Sequence, residues 1–373
     1  MAADMENTSM KSYPMVGGEG PQSYAQNSSS QKKVVENTKE LIHEAVIEKL
    51  DLQNLPDISY SNNTTFRIAD LGCSVGPNTF IAVQNIIDAI QSKYHKTYNI
   101  IGNPEFQVFF NDHSDNDFNT LFRLLPPSRN YFTNSVPGSF HGRLFPNSSL
   151  HFVHSSTALH WLSKVPEEVV DSKSPAWNKG SIICTGLVKE VSEAYSNQFN
   201  NDMHTFLMAR APEIVHGGLM VLILLGLPDG VTMSQTATGM NFEILRSCLN
   251  DLANLGLVKQ EEVDSFNIPF YFPSPKEMVG IIERNGYFSV EKIQELSKAS
   301  TKLVTSMDIQ LRVTSHIRAI AESLIKEHFG HEIVDELFSR FQNKFANSNH
   351  TFTKENTPDI DLFILLKRKA WID

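Results

Sequence analysis

The sequence predicts an α/β fold: a Rossmann-like, mainly parallel sheet covered on both faces, with an added helical cap. Three observations predict it. Short apolar runs alternate with helix-period segments from Phe66 to Leu225. The first run ends in a glycine turn, Asp70-Leu71-Gly72-Cys73-Ser74-Val75-Gly76. From Leu227 onward the apolar period is helical.

Residues 1–13 are polar, and Gly17, Gly18 and Gly20 lead into Ser23-Tyr24-Ala25-Gln26-Asn27-Ser28. From about Ser30, Val34, Val35, Thr38, Leu41, Ile42, Ala45, Val46 and Leu50 recur at helical spacing, which predicts a long amphipathic helix. Phe66 to Gly72 reads as a buried strand, and Phe80 to Ile90 as the helix after it. Further strands are expected at Glu105 to Phe110, Leu150 to His154, Ser181 to Thr185, Gly218 to Leu225 and Leu362 to Leu366. Met240 to Leu255, Ser274 to Arg284, Thr314 to Phe329 and Glu332 to Phe345 read as helices, with little strand signal between them. Ser274-Pro275-Lys276-Glu277 is a helix start and Asn285-Gly286 a stop. The expected division is an N-terminal active-site segment over 1–32, an α/β core over 33–229 and 350–370, and a helical cap over 230–349.

The chain has 373 residues, 32 Lys+Arg against 42 Asp+Glu, and a formal charge of −10. An acidic surface repels phosphate backbones, so no nucleic-acid partner is expected. No apolar run approaches the ~18 residues of a membrane span, and the opening residues lack the apolar core of a secretory signal. A cytoplasmic protein with no membrane partner is the expectation. Cys73, Cys184 and Cys248 are far apart and form no zinc spacing.

Chemistry concentrates at four places. The glycine turn after Asp70 has the spacing G-x-x-x-G, not the G-x-G-x-x-G of a pyrophosphate site. It suits a ligand without phosphate, such as S-adenosylmethionine, although such turns also occur with no ligand at all. Asn111-Asp112 closes the second core strand, where a carboxylate can accept both hydroxyls of a ribose. Asp112 follows Asp70 by 42 positions, about twice the usual ~20. Asp117 and Asn119 read as caps of the next helix. Val136 to Pro146 is too rich in turn residues to be an element; Phe140 can stack on an adenine beside Ser139, or simply pack inward. His154 to Ser163 carries His160 and Trp161, whose indole N–H can meet a substrate oxygen.

Together SYAQNSSSQ, ADLGCSVGPNT, FFNDHSDNDFN, VPGSFHGRLFP, HSSTALHWLS, WNKG, DSFNIPFYFPS and EHFG resemble the plant SABATH family of S-adenosylmethionine-dependent methyltransferases, over almost the whole chain. The resemblance implies a class I methyltransferase that forms methyl esters of a small carboxylic acid, closest to the loganic acid and farnesoic acid enzymes. Its alternative is N-methylation of a xanthine. It implies S-adenosylmethionine contacts at Tyr24, Asn27, Ser28, Asp70, Gly72, Asp112, Ser139 and Phe140. It also implies acceptor contacts at Tyr24, Gln31, Thr157, His160 and Trp161, with Gln31 and Trp161 holding the carboxylate for catalysis. Asn178, Asp264, Phe266 and Asn267 match a cation site, with magnesium as the ion, and a homodimer is implied. Two departures stand out. Thr157 replaces the Tyr most members carry, and Val16 stands where many have Lys or Asn. Both changes suggest a roomier, less polar pocket for a terpenoid or iridoid acid.

Overall fold

The computed structural model describes residues 14–56, 58, 65–99, 102–297, 307–348 and 359–370. Its strands are β1 (Thr65–Leu71), β2 (Glu105–Asp112), β3 (Phe132–Pro137), β4 (Leu150–Ser156), β5 (Ile214–Gly226), β6 (Phe288–Ser297) and β7 (Ile360–Arg368). They form one sheet in the order β3-β2-β1-β4-β5-β7-β6. Only β7 runs against its neighbours, pairing antiparallel with β5 and β6. The helices are α1 (Tyr24–Asn27), α2 (Ser29–Lys49), α3 (Pro77–Tyr98), α4 (Phe118–Arg123), α5 (Lys189–Glu213), α6 (Ala237–Asn254), α7 (Gln260–Ser265), α8 (Pro275–Asn285), α9 (Met307–Phe329) and α10 (Val334–Asn347).

Side chains alternate across the sheet, which is why both faces need helices. Val221 and Ile223 of β5 pack with Phe66, Phe106 and the helices α2 and α3. Met220, Leu222 and Leu224 point the other way, into a core shared with α5 and α8. A third core, built from Phe242, Leu245, Ile325, Leu337 and Phe341, belongs to α6, α9 and α10. The α8 boundaries are as the sequence expects: Ser274 Oγ accepts from Glu277 N at 3.3 Å, and Gly286 caps the end at φ 80°.

Three readings change. Ser181 to Thr185 is not a strand: Ile182 and Ile183 are buried in the core of the cap instead of pairing in the sheet. Two strands lie where none was expected. β3 is an edge strand with Phe132 61% exposed, so it carries almost no apolar signal, and Val136-Pro137 close it. β6 falls inside the stretch read as helical and forms the opposite edge, with a bulge between Val290 and Lys292. Among the described residues no helix is long and apolar enough to cross a membrane.

Candidate active site

Parallel strands all end on one side, and there a cavity opens over β1, β2, β4 and β5. A smaller hollow adjoins it and shares Tyr24, Gln31, Gly72, Ser74, Ser156 and Thr157.

The turn after β1 makes room for this space. Gly72 has φ +82°, and a Cβ there would sit 2.4 Å from the Cβ of Ala158, so no side chain fits. The chain then passes through Ser74 at φ +51°, which turns its N–H onto Asp112 Oδ2 at 2.7 Å. The other oxygen of Asp112 accepts from His113 N at 2.8 Å. A carboxylate oxygen has two acceptor sites, so Asp112 retains capacity toward the cavity it lines. Burial pushes its carboxyl up, against the pull of those two N–H groups. Its neighbour Asn111 faces away and ties β3 in place, donating to Val136 O at 2.7 Å and Gly138 O at 2.8 Å.

Asp70 is more enclosed. Its oxygens take Thr79 Oγ1 and His154 Nδ1, the latter at 2.7 Å, and it borders only the smaller hollow. Ser139 and Phe140 line the large cavity, with the Phe140 ring edge-on to Phe206 at 6.1 Å. Asn27 and Ser28 do not reach either space. Asn27 Nδ2 donates to Pro21 O and Ser23 O, and Ser28 Oγ accepts from Asn78 Nδ2 at 2.9 Å. Asn27 closes the N-terminal turn on itself, and Ser28 fastens that turn to the start of α3. Asp117 caps α4, accepting from Thr120 N at 2.9 Å, and also holds Gly18 N at 3.0 Å.

Tyr24, Gln31, Thr157, His160 and Trp161 also line the cavity. Burial pushes the Tyr24 phenol far up, and Thr157 is its hydrogen-bond partner. Thr157 sits at φ +53°, a conformation a β-branched residue rarely takes, and its N–H is held by Ile223 O at 2.7 Å. Trp161 is braced edge-on by Phe270 at 5.8 Å, and His160 by Phe272 at 5.5 Å. Among the described residues no hydrogen bond engages the side-chain amide of Gln31, whose Oε1 is buried.

The sequence reading missed Met15, His316, Ile320 and Leu225, which also line the cavity. His316 and Ile320 lie one turn apart on α9, and only docking of the cap brings them in. The N-terminal segment reaches the cavity by strapping onto the same helix: Ser323 Oγ donates to Pro14 O at 2.8 Å and Val16 N to Ala319 O at 3.2 Å. Val16 itself lies beside the cavity; Pro14 and Met15 face it.

The four residues matched to a cation site do not fit magnesium. Asn267 Oδ1 is taken by Asn178 Nδ2 at 2.7 Å and Tyr195 OH at 3.2 Å. Asp264, the only carboxylate of the four, faces Lys179 at 3.8 Å, and Phe266 stacks with His328 and Phe329. A hard cation needs several oxygens turned to one point. Here the amides serve to pin the 178–183 loop, with Asn178 Nδ2 also donating to Ile183 O. Among the described residues no group of three or more His, Cys, Asp or Glu could hold a metal.

This strand order, the reversed β7 and a ligand-sized space over a glycine turn and the β2 carboxylate define a class I methyltransferase. A family described as SAM dependent carboxyl methyltransferase matches residues 10–369, and the chain belongs to that family, the SABATH enzymes, which use S-adenosylmethionine. It is 48% identical to loganic acid O-methyltransferase of Catharanthus roseus over 97% of this chain and 96% of that one. It is 42% identical to farnesoic acid carboxyl-O-methyltransferase of Arabidopsis thaliana, over 96% and 99%. A solved structure of loganic acid methyltransferase with SAH superposes with a TM-score of 0.90 at 47% identity, covering 96% of this chain and 99% of that one.

Proposed function

We propose that this enzyme esterifies the carboxylate of a small terpenoid or iridoid acid, with the donor in the Asp112 half of the cavity and the acceptor in the Gln31–Trp161 half. The residues present fit S-adenosylmethionine. Gly72 lets the turn pack tightly on Ala158 at the cavity wall, Asp112 has acceptor capacity for ribose hydroxyls, and Ser74 Oγ is buried without a partner among the described residues. Ser139 and Phe140 would flank the adenine. Asp70 would act through the walls of the smaller hollow, and Asn27 and Ser28 by holding the N-terminal turn.

When bound, that molecule supplies an electrophilic methyl group. A carboxylic acid with a pKa near ~4 is already ionised at neutral pH, so no side chain has to remove a proton. What the chain must do is align the acceptor, a contribution that reaches about 7–11 kcal/mol in well-oriented reactions. The Gln31 amide and the Trp161 indole N–H are the donors for the carboxylate. Leu225, Ile320 and Met15 offer an apolar wall to the rest of the acid, and the strapped N-terminal segment limits water.

The observation that carries this reading is the uncommitted Gln31 amide lining the same cavity as Trp161. A panel of loganic acid, farnesoic acid, salicylic acid and a xanthine, with methyl-labelled donor, tests it. A base-labile methyl ester of a terpenoid or iridoid acid is expected; a base-stable N-methyl product would overturn it. Light scattering of the purified protein checks the homodimer that the resemblance implies, and a fluorescent fusion in plant cells checks cytoplasmic placement.

A further inference from the structure

Among the described residues none of those lining the cavity comes from α5, yet both of its halves are fastened to that helix. Near its C-terminal end, Arg210 and Glu213 form a fully buried ion pair. Arg210 donates from Nε to Glu213 Oε2 at 2.6 Å, from Nη1 to Phe140 O at 2.7 Å and from Nη2 to Gly142 O at 2.7 Å. Glu213 Oε1 accepts from Leu144 N at 2.6 Å and Phe145 N at 3.0 Å. The backbone carbonyls of Pro212 and Glu213 take Ser148 N and Ser149 N. A buried ion pair is a costly device, often no more stabilising than apolar residues of similar size. Here its charges serve four backbone groups of a loop that has no sheet partner, the Phe140 and Gly142 carbonyls and the Leu144 and Phe145 N–H groups.

Two turns earlier, Asp202 does the same for the other half. Its Oδ2 accepts from Ser163 N at 2.8 Å and its Oδ1 from Ser163 Oγ at 2.6 Å and Gln198 Nε2 at 2.9 Å. Ser163 lines the cavity two residues after Trp161. Between the two fastenings, Phe206 packs its ring against Phe140. From Asp202 to Arg210 the helix advances about 12 Å, a rigid span at 1.5 Å per residue.

We propose that α5 sets the spacing between the donor and acceptor walls, with Arg210–Glu213 positioning the Ser139–Phe140 wall and Asp202 positioning the Trp161 wall. These are positioning residues: they act through loops whose side chains meet the ligands. The inference rests on the assignment of the two halves given under Proposed function. It predicts opposite kinetic splits for substitutions on one helix, which a general loss of packing would not produce.

The test uses the full-length enzyme, with S-adenosylhomocysteine binding by calorimetry for the donor wall. The acid methylated fastest in the panel above reports on the acceptor wall. Arg210→Lys keeps the charge but loses the fork, and should raise the dissociation constant for S-adenosylhomocysteine about tenfold, the effect of roughly 1.4 kcal/mol. Its acceptor KM should stay within about twofold, well inside that tenfold scale. Asp202→Asn should lower acceptor kcat/KM about tenfold and leave S-adenosylhomocysteine binding within about twofold. Glu213→Gln and Ser163→Ala replace either variant that fails to fold, as judged by its thermal melt. Equal losses on both substrates, or no loss, would overturn the proposal. Phe140→Ala is the control: if it leaves S-adenosylhomocysteine binding unchanged, the donor wall is misassigned and the site reading fails first. If Phe140→Ala weakens binding and Arg210→Lys and Glu213→Gln do not, only the spacing role of α5 fails. Should no acid react, the donor arm alone decides.

Discussion

The half of the cavity proposed for the donor takes Gly72, Ser74, Asp112 and Ser139 from within three residues of a strand end, whereas the half proposed for the acceptor assembles Met15, Gln31, Trp161, Leu225, His316 and Ile320 from five separate stretches. The first half is held by backbone: Ser74 N and His113 N on Asp112, and Asn111 on the end of β3. The second depends on a cap with its own core and on an N-terminal strap fastened to α9. A site in strand-end turns inherits the rigidity of the sheet. A site walled by a cap and a strap can change its ligand by changing residues that the sheet does not need. Donor binding should therefore respond to few, strand-end residues, and acceptor choice to many scattered ones.

Breaking the donor half should give the largest effect. Asp112→Ala is expected to weaken S-adenosylmethionine binding by about 2–4 kcal/mol, since hydrogen bonds to a charged acceptor are lost in a buried place. Calorimetry on the folded variant checks it, and unchanged affinity would remove Asp112 from the donor site. On the acceptor side, Gln31→Ala and Trp161→Ala are each expected to lower turnover about 10²-fold, near 2.7 kcal/mol, with donor affinity nearly unchanged. If donor affinity falls in parallel, the two halves are not separable as described.

A finer test concerns Thr157, which lines both the cavity and the smaller hollow. Thr157→Tyr should fill part of the cavity and shift relative kcat/KM away from a bulky terpenoid acid toward salicylic acid by about 1–3 kcal/mol. An unchanged order among a terpenoid acid, salicylic acid and a xanthine would show that residue 157 does not shape acceptor choice.

The smallest effect is one of pH. In the proposed site, ionised Asp112 is the form that would accept ribose hydroxyls, and burial raises its pKa. Donor affinity should fall on acidification through that raised value, by up to about tenfold per pH unit. A carboxyl with a raised folded pKa binds its proton more tightly in the folded state. Its own contribution to stability is therefore more favourable at low pH and is lost as pH rises from the ordinary carboxylate value through the raised one. Unfolding driven by Asp112 thus cannot account for the loss of binding. Calorimetry across the acidic range, beside Asp112→Asn, which should flatten the profile, separates the two.

What the sequence by itself determined is what local rules govern. Short apolar runs and 3.6-residue patterns placed β1, β2, β4, β5 and β7 and the long helices other than α5, since burial on one face or two writes itself into residue order. Glycine at 72 and the acid at 112 were legible because a left-handed turn and a strand-end carboxylate each ask for particular residue types. The edges β3 and β6 were not legible, because an exposed edge strand needs no apolar run, and Ile182-Ile183 misled because burial in a cap looks like burial in a sheet. Only the tertiary structure decided that Asn27 and Ser28 fasten the N-terminal turn instead of facing the cavity, and that Asn178 and Asn267, two of the residues matched to a cation site, are spent on each other. It alone brought His316 and Ile320 to the cavity and bonded the loops at Phe140 and Ser163 to α5. Those contacts join residues tens to hundreds of positions apart, and which polar atom meets which partner is settled by packing, a property no local pattern carries.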